Sequence, residues 1–288
     1  MPGTCTKPRR NTATPFEGTT TLAVTETGPL RAVVRVTRTH RASTLEQEII
    51  LYAEMPRLDF RTRIDWQERQ TLLKVAFPVD IRATSATYEV QFGAYARATH
   101  RNTSWEQTKF EVPGQRWVDL SEAGYGVSLL NDGRYGYDTH DNVVRLTLLR
   151  GTIFPDPEAD RGTHEVTYSL YPHAGGWTEA ETVRRAWELN TPLYATPGAT
   201  PAPTRFLRID GSAILETLKP AEDGNGWIVR LYEPHGARGP VTVRSAMPLH
   251  AVTMCNAVEE GAEALPHDAT AFTFLIRPFE IRTFRLIL

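Results

Sequence analysis

Three stretches of this 288-residue chain crowd aromatic, amide, carboxylate and guanidinium groups together. They are THRNTSWE (99–106), NDGRYGYDTHDN (131–142) and PDPEADRGTH (155–164). Such groups suit metal binding, acid–base chemistry or recognition of a polar ligand. A calcium loop places oxygen ligands at alternate positions around a central glycine and closes on a glutamate. In the second stretch Asp132, Asp138 and Asp141 have the wrong spacing, and no closing glutamate follows. In the third, Asp156, Glu158 and Asp160 alternate and form the better chelating triplet. Acidic loops that merely stay solvated are commoner, however. The eight histidines lie at 40, 100, 140, 164, 173, 235, 250 and 267, with no HxxxH or HExxH pair. Zinc held by this chain alone is therefore not expected. A nucleophile elbow GxSxG, a GxGxxG turn and a phosphate loop are also missing.

Sugar recognition is the remaining chemistry. Aromatic faces meet C–H groups, while amides, carboxylates and guanidinium forks hold hydroxyls. The competing reading is architectural: Tyr135, Tyr137 and Trp105 close the ends of a β structure, and the aspartates serve turns. Taken singly, each loop favours the architectural role. A glycosidase needs two carboxyl groups flanking the scissile bond. With 34 acidic residues no pair stands out, and no catalytic residue is nominated.

Period-two alternation supplies the elements that hold these loops. LDFRTRIDW (58–66) puts Leu58, Phe60, Thr62, Ile64 and Trp66 on one face and Asp59, Arg61, Arg63 and Asp65 on the other. That pattern is a half-solvated strand. Similar strands are expected at 31–36, 46–53, 87–92, 125–130, 142–150, 165–173, 227–234, 270–276 and 280–288. Strands this numerous, joined by Gly, Pro and Asp turns, predict an all-β fold of antiparallel sandwiches. One segment departs from the pattern. WTEAETVRRAWELN (177–190) has apolar residues at helical intervals, and Thr178 with Glu181 has the spacing of a capping box. TPLYATPGATPAPT (191–204) then reads as a linker. The expected organisation is a disordered or non-native leader over 1–20, a large β domain over 21–194, a linker over 195–204 and a small β domain over 205–288.

Composition narrows the function classes. Thirty-two basic residues against 34 acidic ones provide no electrostatic case for a nucleic-acid partner. No apolar run approaches the roughly 20 residues of a membrane span, and the first residues carry no secretory pattern. Cys5 and Cys255 are too few for a disulfide framework. The expectation is a cytoplasmic protein without a membrane partner.

The same three loops carry a family resemblance. THRNTSWE, RWVDLSEAGYGVSLLNDGRYGYD and LLRGTIFPDPEADRGTHEVTYSLYPHAGGW resemble, in order and spacing, the C-terminal β region of glycoside hydrolase family 38, the α-mannosidases of bacterial type. VTETGPLRAVVRV (24–36) and RLDFRTRIDWQERQTLLKVAFPV (57–79) fit that region, and LKPAEDGNGWIVRLYEPHGARGPV (218–241) resembles its small terminal domain. The resemblance implies a large supersandwich of galactose-mutarotase type followed by a small C-terminal sandwich. It also implies retaining hydrolysis of terminal α-mannosides, with zinc, nucleophile and acid catalyst in an N-terminal barrel that nothing here matches. The barrel would be a missing or separately encoded partner, and a truncated reading frame would account for the start. Arg161, in DRG, resembles an arginine that lies near the bound sugar in this family. Asp160, Tyr135, Tyr137, Asp138, His100 and Asn102 follow as carbohydrate-contacting candidates. Ala98 and Gly133 stand where the family often has proline and cysteine. The alternative to a mannosidase portion is a freestanding carbohydrate-binding β-sandwich.

Overall fold

The structure is a computed structural model and describes residues 15–16, 18–198 and 205–288. Most of the expected leader and of the 195–204 linker lies outside the described residues. The fold is all-β, with several antiparallel sheets. In chain order the elements begin with β1 (Thr20–Thr27), β2 (Arg31–His40), β3 (Ser43–Tyr52), β4 (Met55–Trp66) and β5 (Leu73–Pro78). There follow β6 (Ser85–Val90), β7 (Gly93–Ala98), α1 (Ser104–Gln107), β8 (Val112–Pro113), β9 (Trp117–Ser121), β10 (Tyr125–Asn131) and β11 (Gly136–His140). Next come β12 (Val143–Leu149), β13 (Gly162–Ala174) and α2 (Thr182–Asn190). The last stretch holds β14 (Leu207–Asp210), β15 (Ile214–Pro220), β16 (Trp227–Tyr232), β17 (Gly239–Ser245), β18 (Ala251–Cys255), β19 (Glu263–Ala264), β20 (Ala271–Ile276) and β21 (Ile281–Ile287). The chain divides into two compact units, one of residues 1–75 with 146–172 and the other of residues 76–145 with 173–288.

In the first unit β1, β2, β3, β4 and β13 form consecutive antiparallel pairs. Alternation decides which face is buried: Phe60, Thr62, Ile64 and Trp66 are buried while Arg61, Arg63 and Asp65 are exposed. Phe60 lies opposite Tyr168 in the register, and the two rings stack at 5.1 Å. Asp59 departs from the expected solvated face. It is 5% exposed and accepts from Arg57 Nε at 2.7 Å, from Arg57 Nη2 at 3.1 Å and from Ser169 at 2.7 Å. A buried carboxylate must be paired and hydrogen-bonded, and these donors meet that need where alternation alone would place Asp59 in solvent.

In the second unit β10, β9, β6 and β7 pair in that order, and β8 pairs with β11. Residues 205–288 form a sandwich within this unit. One layer is β14-β17-β20 and the other is β15-β16-β21-β18-β19. Its core comes from alternating positions of both layers, among them Val229, Leu231, Val241, Val243, Phe272, Phe274, Phe284 and Leu286. The Phe284 ring lies 5.0 Å from Phe272 and 4.6 Å from Phe274. Burying each such side chain contributes roughly 1.5–3 kcal/mol.

The helix is shorter than its pattern predicts. Glu181 sits at φ +54° as N-cap, makes no side-chain cap bond, and α2 begins only at Thr182. Residues 176–182 instead close successive turns, with Glu181 N–H donating to Thr178 O at 3.2 Å and Thr182 N–H to Trp177 O at 3.0 Å. Thr182 then joins a buried polar network. Its hydroxyl is 2.8 Å from Ser128 Oγ, Ser128 donates to Asp119 at 2.7 Å, and His173 Nε2 meets the same carboxylate at 2.8 Å. Gly126 makes room for that network: a Cβ there would stand 2.3 Å from both His173 Cε1 and Ser121 Oγ. The capping box expected at Thr178 and Glu181 does not form; one is found instead at the N-terminus of α1, between its N-cap Thr103 and Glu106.

Candidate functional site

A cleft in the second unit brings together two of the candidate side chains, His100 and Asp138. Antiparallel pairing sets Tyr88 of β6 directly across from Tyr95 of β7, so both rings share one face. Arg97 is two residues beyond Tyr95 and returns to that face. Its guanidinium carbon sits 4.6 Å from the Tyr88 ring centre and 5.3 Å from that of Tyr95. The loop after β7 folds back over it. Its shape is fixed by the capping box, in which Thr103 N–H donates to Glu106 Oε2 at 2.8 Å and Glu106 N–H to Thr103 Oγ1 at 3.3 Å. The result is a small, partly open cleft lined by Tyr88, Arg97, His100, Arg101, Glu106 and Asp138, among others. Burial pulls the Arg97 pKa below its ordinary value, and the two tyrosines pull it back only in part. The hydrogen bonds from Thr103 hold Glu106 below the usual carboxylate range.

His100 and Asp138, two of the candidates from sequence, therefore line the same cleft. Asp138 is 7% exposed and accepts from Arg145 Nη1 at 2.6 Å. Asn102 is exposed on the loop leading into α1. Arg97, Tyr88, Tyr95 and Lys109 were not among the candidates. The signal that could have found them is the alternation Tyr95–x–Arg97 on a strand whose partner presents Tyr88.

The NDGRYGYD stretch is a turn built on Asn131. That side chain is fully buried, and its Oδ1 accepts from Gly133 N–H at 2.8 Å and Arg134 N–H at 2.5 Å. Its amide nitrogen donates to Gln115 O at 3.0 Å and to the Tyr137 hydroxyl. Tyr137 is 0% exposed, donates to Gln115 O at 3.1 Å and packs edge-on against Tyr88. Burial, reinforced by the Glu89 charge, drives the Tyr137 pKa well above the ordinary phenol value, so it remains a neutral donor. Tyr137 supports the loop from below and does not face a surface ligand. Tyr135, 55% exposed, is the ring of this loop that faces solvent.

In the first unit, the PDPEAD stretch uses its carboxylates on itself. Asp156 accepts from Glu158 N–H at 2.9 Å. Asp160, at φ +62°, accepts from Arg150 N–H at 2.8 Å and Gly151 N–H at 3.0 Å. Glu158 bridges Arg69 and Arg161. Arg161 is exposed and also donates to Gln67 Oε1 at 3.2 Å. Among the described residues no three His, Cys, Asp or Glu side chains converge to hold a metal ion. The residues described do not fit the zinc implied by the resemblance.

Comparison with known proteins bears on this arrangement. A family model for the glycosyl hydrolases family 38 C-terminal domain matches residues 6–158, and one for that family's C-terminal beta sandwich domain matches residues 212–284. The chain belongs to glycosyl hydrolase family 38. Alpha-mannosidase 2C1 of Mus musculus is 40% identical over 257 residues, which are 85% of this chain and 24% of that protein. Alpha-mannosidase G of Dictyostelium discoideum is 39% identical over 282 residues, 93% of this chain and 26% of that protein. An alpha-mannosidase of Enterococcus faecalis V583 matches with a TM-score of 0.77 at 20% identity, over 93% of this chain and 35% of that one, and so shares the fold. The family 38 chain thus spans about a quarter of the length of the curated relatives it matches. No helix among its described residues is long and apolar enough to cross a membrane.

Proposed function

We propose that this family 38 chain serves as the C-terminal β region of an α-mannosidase. It contributes interdomain packing and carbohydrate-contacting loops to the hydrolysis of terminal α-mannosides, and it is inactive alone in the cytoplasm. The observation that carries this reading is the match of two C-terminal-domain models to a segment corresponding to a quarter of each α-mannosidase relative. The loop chemistry supports it. A retaining glycosidase needs a carboxylate free to attack and a carboxylic acid free to protonate the leaving group. Asp138, Glu158, Asp160 and Glu106 are instead held by Arg145, by Arg69 and Arg161, by backbone N–H groups and by Thr103.

Arg161 is our first assignment for sugar contact, with Asp160 shaping its loop. His100, Asn102 and Tyr135 follow in the second unit, with Tyr137 and Asp138 acting through the loop they support. An arginine fork matches adjacent hydroxyls because its donors are coplanar. Exposed apolar side chains support docking to a catalytic region: Leu22, Val24 and Phe154 in the first unit and Trp105 and Tyr95 in the second are each more than 60% exposed.

The purified 288-residue chain should not hydrolyse an aryl α-mannoside, with or without zinc. Joined to the N-terminal region of the mouse relative, it should give zinc-dependent turnover, lowered by Arg161→Ala. Turnover by the chain alone that survives repurification would overturn the accessory role. A soluble chimera without activity would overturn the mannosidase reading.

A further inference from the structure

We propose that a notch at the open edge of the terminal sandwich docks a short extended peptide segment carrying basic side chains. The notch arises because neighbouring strands end at different levels. β21 pairs with β16 from Leu286 back to Ile281, but its other neighbour, β18, stops at Cys255, opposite Thr283. In an antiparallel ladder successive residues turn their N–H and C=O alternately to the two neighbours. Glu233 N–H donates to Glu280 O at 3.0 Å, so even-numbered residues of β21 face β16 and odd-numbered ones face β18. Ile281 therefore turns its N–H and C=O to the side on which β18 has already ended. The chain beyond Cys255 curls away. Asn256 Oδ1 accepts from Val258 N–H at 3.0 Å and Glu260 N–H at 2.9 Å, and Ala257 O accepts from Arg230 Nη2 at 2.7 Å. What remains is an open notch of about 470 Å³, lined by Met254, Cys255, Glu260, Glu263, Ile281 and Arg282, among others. That volume lies within the roughly 300–1,000 Å³ of ligand sites.

Backbone and side chains point to the same occupant. An N–H and C=O left open on a strand edge are completed by another strand, and a peptide laid in line with β18 meets both. Met254 and Ile281, the latter 41% exposed, offer its side chains an apolar wall. Charge decides the rest. Glu260 and Glu263 are exposed and, among the described residues, make no ion pair. Arg282, the cation of the lining, is held by Glu280 at 2.8 Å and donates to Met254 Sδ at 2.8 Å. Arg230, beside the turn, is engaged with Ala257 O and with Thr283 Oγ1 at 3.2 Å. Two unmatched carboxylates at the rim favour lysine or arginine over acidic residues in the segment. The proposal is independent of the mannosidase reading, since it rests on the terminal sandwich alone.

The test is calorimetric titration of the full chain with two capped hexapeptides at matched ionic strength. One alternates lysine and valine, the other glutamate and valine. The basic peptide should bind roughly tenfold or more tightly than the acidic one. Ile281→Pro removes the open N–H without breaking a bond to β16, a change that a strand edge accepts. It should weaken the basic peptide several-fold. Because proline can also disturb the strand, the surface double variant Glu260→Gln/Glu263→Gln provides a second measure. It should abolish most of the preference for the basic peptide and leave the circular dichroism spectrum unchanged. Equal binding of the two peptides, or binding of neither, would overturn the proposal. So would full affinity for the basic peptide in the folded double variant together with a folded Ile281→Pro.

Discussion

Arg116 makes a sharp test of how the second unit is held together. It follows Gln115 into β9 and reaches Glu89 of β6 with Nε at 3.0 Å and Nη2 at 2.6 Å, while its own backbone N–H donates to the same carboxylate at 2.7 Å. Its guanidinium carbon lies 3.9 Å from the ring centre of Trp187 in α2. The Trp187 indole N–H donates to the Tyr232 hydroxyl of β16 at 3.2 Å. One side chain thus touches β6, α2 and the terminal sandwich. Burial pulls the Arg116 pKa down, but the Glu89 carboxylate more than compensates and leaves it above its ordinary value.

The two ends of the pair differ in access to water. The Glu89 side chain is 4% exposed and that of Arg116 is 23% exposed. Arg116→Met orphans a carboxylate that water cannot reach, which should cost about 3–5 kcal/mol. Loss of the Trp187 contact adds up to about 1 kcal/mol. Glu89→Met orphans a cation that can still turn toward solvent, and should cost about 1–3 kcal/mol. The double variant removes both charges and leaves only the Arg116 N–H without its acceptor. It should therefore cost about 1–3 kcal/mol, less than Arg116→Met alone. A chain of two units need not unfold in one step. The assay is accordingly native-state hydrogen exchange at the β9 and β16 amides, which reports opening free energy locally. Additive costs in the double variant, or equal costs for the two single ones, would refute this reasoning.

Two further outcomes follow from buried contacts. Tyr137→Phe removes a hydroxyl bonded to Gln115 and Asn131, so urea unfolding should show a loss of about 1 kcal/mol, while mannose and mannuronate titrations stay unchanged. An equal stability with altered sugar binding would return Tyr137 to the ligand-facing residues. Gly126→Ala drives a methyl to 2.3 Å from His173 and Ser121 and should destabilise by about 1–3 kcal/mol in thermal unfolding. Wild-type stability would show that the Asp119 network yields more readily than its close packing indicates.

The strands were legible because their physics is local. Leu58 to Trp66 alternate, and Phe60, Thr62, Ile64 and Trp66 are buried as expected. What escaped depends on partners distant in sequence. Asp59 is buried because Ser169 and Arg57 reach it. Thr178–x–x–Glu181 has a capping spacing, yet α2 begins only at Thr182, whose buried hydroxyl bonds Ser128, a partner distant in sequence. The same spacing at Thr103–x–x–Glu106 does form a cap, inside a stretch whose composition suits sugar recognition.

The loops show why composition alone could not separate builders from binders. Asn131, Tyr137, Asp138 and Asp160 belong to the polar and aromatic types that hold sugars. Each of them has its hydrogen bonds met within the protein, by turn N–H groups, a carbonyl or an arginine. A polar side chain engaged in this way loses bonds if it turns toward a ligand, so its contribution is the shape of the loop. Groups whose capacity is unfilled carry the opposite signature. Tyr135 is 55% exposed, and Arg101 and Asn102 are exposed on the loop leading into α1. Residue type is common to both sets, and only the accounting of donors and acceptors in the folded chain separates them. By that criterion the exposed side chains of these loops, rather than the buried members of the NDGRYGYD turn, are the ones left to meet a ligand.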